Sequence, residues 1–467
     1  MKPLLPLALA AVCQTPLVAQ SLGCHNLAGI PPIAQELLTQ FPLTGSSCVR
    51  VDLLGATVFE QAFGSFTLQQ VVPIASATKT LSAAVLLSLV DSGLLALDDR
   101  VGQYLPEWNV GTRAQITLRM CFTHTAGMAG SSPLISDDTI TLRQAALQLA
   151  SDPLQHAPGS RFLYGGVSMH VAGAVCEVVA GQSWAQVFQQ RIAAPLQMTT
   201  TDFYAFGFTQ NPRIAGGARC NLRDYAVFVD MLRNGGVWNG VQVLSAASVD
   251  AMLSDQTSAI PIASTPHPDS APYGIGIWLD RRDSQGRTLL ASGVGAFGFA
   301  GWVDRAHGVS GVFLVRNQNA NTFPRVQRIW REIDAAVLPV GVSCVGAGSP
   351  SCAAGAWLNG SGPARAGNAD FALLAARAPA NAPGLAVLGD PLPAGLPVLD
   401  LMAHVGPGLA VVADLVADAD GRAMLAAPLA NSLVGLTFGL QVAWLSPAPC
   451  GVSGLQASHA ISVTVQP

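Results

Sequence analysis

The chain has 467 residues, half of them hydrophobic, only 11% charged, with a formal net charge of −4. It is long enough for more than one hydrophobic core, and its charge balance gives no electrostatic case for nucleic acid or an anionic membrane surface. Its eight histidines show no metal-ligand spacing, no Cys-x-x-Cys occurs and no glycine-rich phosphate loop follows a strand, so no metal and no cofactor is implied.

Met1-Lys2 followed by the apolar run Pro3 to Val12 reads as a signal peptide over residues 1–19, with cleavage near Leu17-Val18-Ala19. The expectation is therefore a secreted protein, periplasmic or at the cell surface. Ser21-Leu22-Gly23 is a poor lipobox for lipid attachment at Cys24. No later run is long and apolar enough to cross a membrane. Removing Cys13 leaves eight cysteines, which suits an oxidising compartment. Cys24 with Cys48, and Cys344 with Cys352 or Cys450, are the candidate disulfide pairs. Cys121 and Cys176 fall in apolar helical patterns and read as free core thiols.

The most informative residue is Lys79. The chain has two lysines, and the other, Lys2, lies in the signal segment. Elsewhere the sequence uses arginine, which does not lose its proton, whereas a buried lysine does and then acts as a base. Lys79 stands three residues after Ser76 in Ser-Ala-Thr-Lys. Pro73-Ile74-Ala75 leads in, Thr80 to Leu89 has helical apolar spacing, and Asp91-Ser92-Gly93 supplies the stop. Ser76 is thus expected in the first turn of a buried helix, with the Lys79 amine on the same face. The helix N-terminus favours an oxyanion, and together with desolvation it disfavours an ammonium. A serine and a lysine three apart are a common accident, so the context has to decide.

That context is extensive. The stretches ATVFEQAFG (56–64), PIASATKT (73–80), GLLALDDRVGQYLPEW (93–108), ITLRMCFTHTAGM (116–128), PGSRFLY (158–164), AAPLQM (193–198), AGGARCNLRDYAVFVDMLRNGG (215–236) and GAFGFAGWV (295–303) occur in order. With them the chain resembles the serine beta-lactamase-related family: class C beta-lactamases, penicillin-binding carboxypeptidases and the esterases that share their fold. The resemblance runs from about Val51 to Asn317. It implies an α+β fold, with an antiparallel sheet flanked by helices and a helical subdomain from about Thr112 to Thr200. It also implies a serine nucleophile at Ser76 and, by Ser-x-x-Lys, a base at Lys79.

The family's second motif is Tyr-x-Asn. Tyr164 fits it, but Gly165-Gly166 replaces x-Asn, so Gly166 offers no side chain to hold a substrate amide. A phenol beside a cationic lysine is expected to have a lowered pKa, and either group is then a possible base. The third motif, usually Lys-Thr-Gly or His-x-Gly, corresponds to Gly293-Val294-Gly295, without a cation for a substrate carboxylate. Arg316 or another arginine is left to replace it. By the resemblance, the N–H groups of Ser76 and Ala296 form the oxyanion hole, and the glycines let a substrate approach the strand. His124 reads as packing, His170 as a capped or surface histidine, and His307 as part of a hairpin turn.

The two departures favour carboxylic esters over beta-lactams or D-Ala-D-Ala peptides, both of which present a carboxylate near the scissile amide. The alternatives are an amide hydrolase of those kinds or an inactive relative that binds wall fragments or a partner. The expected organisation is a hydrolase domain over 25–338, a linker over 339–363, and a small all-β sandwich over 364–467. Surface attachment, sorting, substrate binding and plain stability are the roles left open for the last domain.

Overall fold

The computed structural model describes residues 27–346, 357–376, 378–398, 401–406, 411–419, 421–445 and 454–467. The signal segment therefore lies outside the described residues, as do Cys24, Cys352 and Cys450.

The part before residue 338 is built on one six-stranded antiparallel sheet. Its strand order is Ala56–Phe63, Ser47–Leu53, Val309–Val315, Ala300–Asp304, Thr288–Val294 and Trp278–Arg282. Alternation along the strands divides the core in two, because successive side chains point to opposite faces. Val49, Phe313 and Val315 join Ile33, Leu37, Val326 and Ile329 from helices Ile30–Gln40 and Asn319–Ala336. Cys48, Val312 and Leu314 face the other way, into the larger cluster with helices Thr78–Asp91 and Leu222–Arg233. The helical subdomain continues that larger cluster through helix Val167–Ala180.

Helix Thr78–Asp91 is buried on every side from Thr78 to Leu89. That explains why its apolar residues form no single stripe: a helix enclosed all round does not need to be amphipathic. Tyr225 fixes its start. This buried ring comes from helix Leu222–Arg233 and donates its hydroxyl to Ala77 O at 3.0 Å. The strands leave room for it, since a Cβ on Gly301 would lie 2.2 Å from Tyr225 Cε1, and one on Gly293 would lie 2.8 Å from its hydroxyl.

The C-terminal part, from Leu338 on, carries a separate core around Phe371, Leu440, Trp444 and Ile461. One sheet runs Val342–Gly346, Ala460–Thr464, Thr437–Leu445, Pro383–Gly389 and Val411–Val416, with a second sheet of Trp357–Gly360, Ala372–Ala376 and Ala423–Ala426. This is the all-β region expected from its short apolar runs. The linker expectation over 339–363 is corrected: Val342–Gly346 and Trp357–Gly360 are strands of these two sheets. The Gly, Ser, Ala and Cys-rich composition of the segment around them hid them, because each strand is only four or five residues long.

The cysteine expectations divide. Cys121 and Cys176 are buried free thiols, as expected. Cys48, expected to pair with Cys24, is also a buried free thiol that donates to Thr67 O at 3.3 Å. Burial pushes its pKa up to about 12.

A methyl group at Gly301 must displace the Tyr225 ring that holds the start of the central helix. Gly301→Ala is expected to lower the unfolding free energy by about 1–3 kcal/mol, read from the urea midpoint at unchanged slope.

Candidate active site

The chain arrives at Ser76 through a strained corner. Ala75 has φ of 46°, in the left-handed region that a residue with a Cβ rarely adopts. Such strain collects where a side chain must be aimed. A short 3-10 turn, Ala75–Ala77, then leads into helix Thr78–Asp91, so Ser76 sits just before the helix rather than within its first α turn. Gly295 presses on the same corner: a Cβ there would lie 2.1 Å from Ile74 O, so only glycine lets the strand end approach this closely.

Lys79 is buried, and its Nζ donates to Ser76 Oγ at 3.2 Å and to Ala215 O at 2.9 Å. Among the described residues, no carboxylate pairs with it. Desolvation lowers its pKa to about 7. A neutral amine beside the Ser76 hydroxyl is therefore accessible near neutral pH.

Tyr164 completes the group, lining the same cleft as Ser76 and Lys79. The expected lowering of its pKa is overturned. Burial raises it, outweighing the lowering effect of the Ser76 side chain. The geometry explains the failure: Lys79 Nζ lies over the ring face, 4.5 Å from the centroid. Trp278 stacks on the ring at 5.3 Å, and backbone bonds from Tyr164 N to Ser264 O and from Gly166 N to Gly130 O fix the segment. Of the two possible bases, only Lys79 has a proton affinity suited to neutral pH.

Two clefts meet at this point. The larger, about 740 Å³, is lined by Ser76, Tyr164, Trp278, Ala296 and Phe323 among others. The smaller, about 420 Å³, shares Ser76 and Tyr164 and adds Lys79, Gly166, His170 and Arg213. No backbone acceptor among the described residues takes the N–H of Ser76 or Ala296. Two free donors flanking the nucleophile can hold a developing oxyanion.

The other sequence candidates divide. Gly166 lines the smaller cleft, and Ile135 fills the space an asparagine would need, 3.0 Å from a Cβ built at Gly166. Gly293 is corrected: it lines neither cleft, and a Cβ there would lie 2.5 Å from Thr80 Oγ1, so its role is packing. Arg316 is exposed and outside both clefts.

Among the histidines, His124 is buried against the rings of Tyr164 and Tyr273, as a packing residue should be. His170 is corrected from a capped or surface residue. It is buried, with Nε2 2.7 Å from Asn211 Oδ1. Asn211 donates to Leu134 O and Asp137 O, so its Oδ1 accepts and His170 carries the proton on Nε2. His307 lies in the turn as expected. It joins Asp304 and Asp334 in a cluster, but Arg281 already bridges the two carboxylates at 3.4 and 2.6 Å. Sequence reasoning missed Arg213 and the wall Pro266-His267-Pro268. Nothing in their local pattern marks them, because the fold brings them to the site from loops.

Fold and site together define the class of protein: a serine hydrolase, with a hydroxyl and a low-pKa lysine set between a helical subdomain and an antiparallel sheet. The chain belongs to the beta-lactamase family, whose model matches residues 53–336. An uncharacterized protein of Mycobacterium tuberculosis is 25% identical over 286 residues, covering 49% of this chain and 71% of that one. Esterase EstB of Burkholderia gladioli is 37% identical over 148 residues, 28% of this chain and 38% of the esterase. A beta-lactamase-type structure from Bacteroides dorei DSM 17855 superposes with a TM-score of 0.61 at 27% identity, covering 66% of this chain and 98% of that one.

The lysine's burial has a stability consequence. Its folded-state pKa of about 7 lies below the value of 10.5 for an exposed lysine, so between these limits the unfolded chain binds the extra proton. Stability therefore rises with pH across that window, and below it the cost is on the order of 5 kcal/mol. Lys79→Met is expected to be more stable than the wild type at pH 6, with the gain shrinking toward pH 10 in denaturant titrations.

Proposed function

We propose that the chain is a secreted serine hydrolase that cleaves carboxylic esters through an acyl-enzyme on Ser76. The observation that carries this is the 3.2 Å contact between Ser76 Oγ and a buried Lys79 amine without a carboxylate partner. Neutral Lys79 takes the Ser76 proton as Oγ attacks the ester carbonyl. The N–H groups of Ser76 and Ala296 hold the oxyanion. The Tyr164 phenol keeps its proton at neutral pH and donates a hydrogen bond within the site, and Lys79 returns its proton to the departing alcohol. Water then releases the acid by the same route.

The choice of esters rests on what the clefts lack. Gly166 has no side chain to grip an amide, and the third-motif segment brings no cation to the strand edge. A simple ester needs only nucleophile, base and oxyanion donors. The likeness to an esterase, EstB, supports the same reading. Secretion rests on the N-terminal sequence pattern. The domain division we propose is a hydrolase unit over 25–338 and a β unit after it that already includes Val342–Gly346. Among the described residues no helix is long and apolar enough to cross a membrane.

Hydrolysis of p-nitrophenyl butyrate tests the mechanism. Ser76→Ala is expected to lose at least about 10³-fold in kcat, and Tyr164→Phe about 10²-fold. Equal rates for Ser76→Ala and the wild type would overturn the reading. The kcat/KM of the wild type should rise with pH to a plateau, with a midpoint near the Lys79 pKa of about 7. A flat profile from pH 5 to 9 would remove Lys79 as the base.

A further inference from the structure

The two clefts that meet at Ser76 differ in charge. The larger is walled by Trp278, Val294, Phe323 and three prolines, and its one carboxylate is Asp269, with no lysine or arginine. The smaller has Lys79 and Arg213 and no carboxylate at all. Its remaining titratable groups are the neutral His170, whose pKa burial lowers to about 4, and the protonated Tyr164.

Arg213 is placed to bind rather than to brace. Its guanidinium lies over the exposed Phe206 ring at 4.3 Å, a contact that orients the plane and leaves the hydrogen-bonding edge open. Its nearest acid is Asp138, at 3.7 Å and half-exposed, a separation that forms no hydrogen bond and is screened by solvent. The backbone positions it independently: Arg213 O accepts from Gly216 N at 3.0 Å and Gly217 N at 2.7 Å. Those bonds tie it to the loop whose Ala215 O receives the Lys79 amine. An arginine fork with no strong internal partner, in a cleft without acids, suits a carboxylate.

We propose that the smaller cleft binds an anionic group of the substrate through Arg213, so that the preferred ester carries a carboxylate at one end and an apolar group at the other. This deepens the ester reading and rests on it. The cation absent from Gly293-Val294-Gly295 is thereby supplied from the helical side of the site. The third-motif strand leaves that side open to the substrate, and the apolar portion lies along Trp278 and Phe323.

Three p-nitrophenyl or aryl probes test it: neutral p-nitrophenyl valerate, p-nitrophenyl hydrogen glutarate with the charge on the acyl side, and 4-butyryloxybenzoate with the charge on the alcohol side. One of the two anionic esters is expected to exceed the neutral one in kcat/KM by about 10-fold or more, and which one does so gives the orientation. Arg213→Gln should lower that ratio about 10- to 100-fold, while Arg213→Lys keeps part of it. A ratio near one for both anionic esters, or a ratio that Arg213→Gln leaves unchanged, overturns the proposal. Calorimetry of glutarate binding to Ser76→Ala and to Ser76→Ala with Arg213→Gln reads the same contact without turnover. Glutarate binding lost with Arg213 would stand even if every ester proved inert, a result that would sink the esterase reading alone.

Discussion

A single amine without a counter-charge dictates much of this structure. Lys79 is held in a dry environment by one hydroxyl and one backbone carbonyl. A carboxylate partner would have favoured its charged form and raised its pKa again. Keeping carboxylates away explains why the helix it stands on is enclosed by apolar side chains from Leu81 to Leu89. It also explains why the neighbouring aromatic, Tyr164, offers a ring face and not a phenolate. The energetic cost of such a site has to be met elsewhere, and the two large cores on either face of the sheet are where apolar burial offsets it.

The second organising feature is close approach of backbones. Gly295 against Ile74 O, and Gly293 and Gly301 around Tyr225, bring the sheet within contact of the corner that carries Ser76. The left-handed Ala75 is tolerated because these contacts and the Tyr225 hydrogen bond to Ala77 O over-determine its position. Sheet, corner and helix thus act as one rigid frame for the nucleophile. The substrate walls come from loops on either side, which are free to vary without disturbing that frame.

Much of this was legible in the sequence, for identifiable reasons. Ser76 and Lys79 were readable because residues three apart at a helix start share a face, and because a lone lysine in an arginine-using chain demands a reason. The catalytic fold and Tyr164 were readable through ordered motifs over some 270 residues, which the family match over 53–336 bears out for the fold. The direction of the Tyr164 pKa was not, since it depends on whether an amine meets the ring or the oxygen. Gly293 was read as a glycine that lets substrate approach the strand, yet it makes room for Tyr225 and Thr80, while Gly166 borders a cleft beside Ile135. His170 depends on a partner 41 residues away, Asn211, and Arg213 reaches its cleft from a loop, neither of which a local pattern names. The strands at 342–346 and 357–360 were hidden because they are short and set in a segment rich in Gly, Ser, Ala and Cys.

The scarcity of lysine also has a practical side. Residues 27–346 contain one ammonium group, and it is the one beside the nucleophile. Burial lowers its pKa to about 7, so near neutral pH access rather than protonation sets how fast it reacts. Reagents that modify amines, usually indiscriminate, here become reporters on a single buried position. Their rate of reaction measures how often solvent and small electrophiles reach the floor of the smaller cleft. Conversely, coupling the protein to a surface through lysine would find almost nothing to hold except the amine beside Ser76.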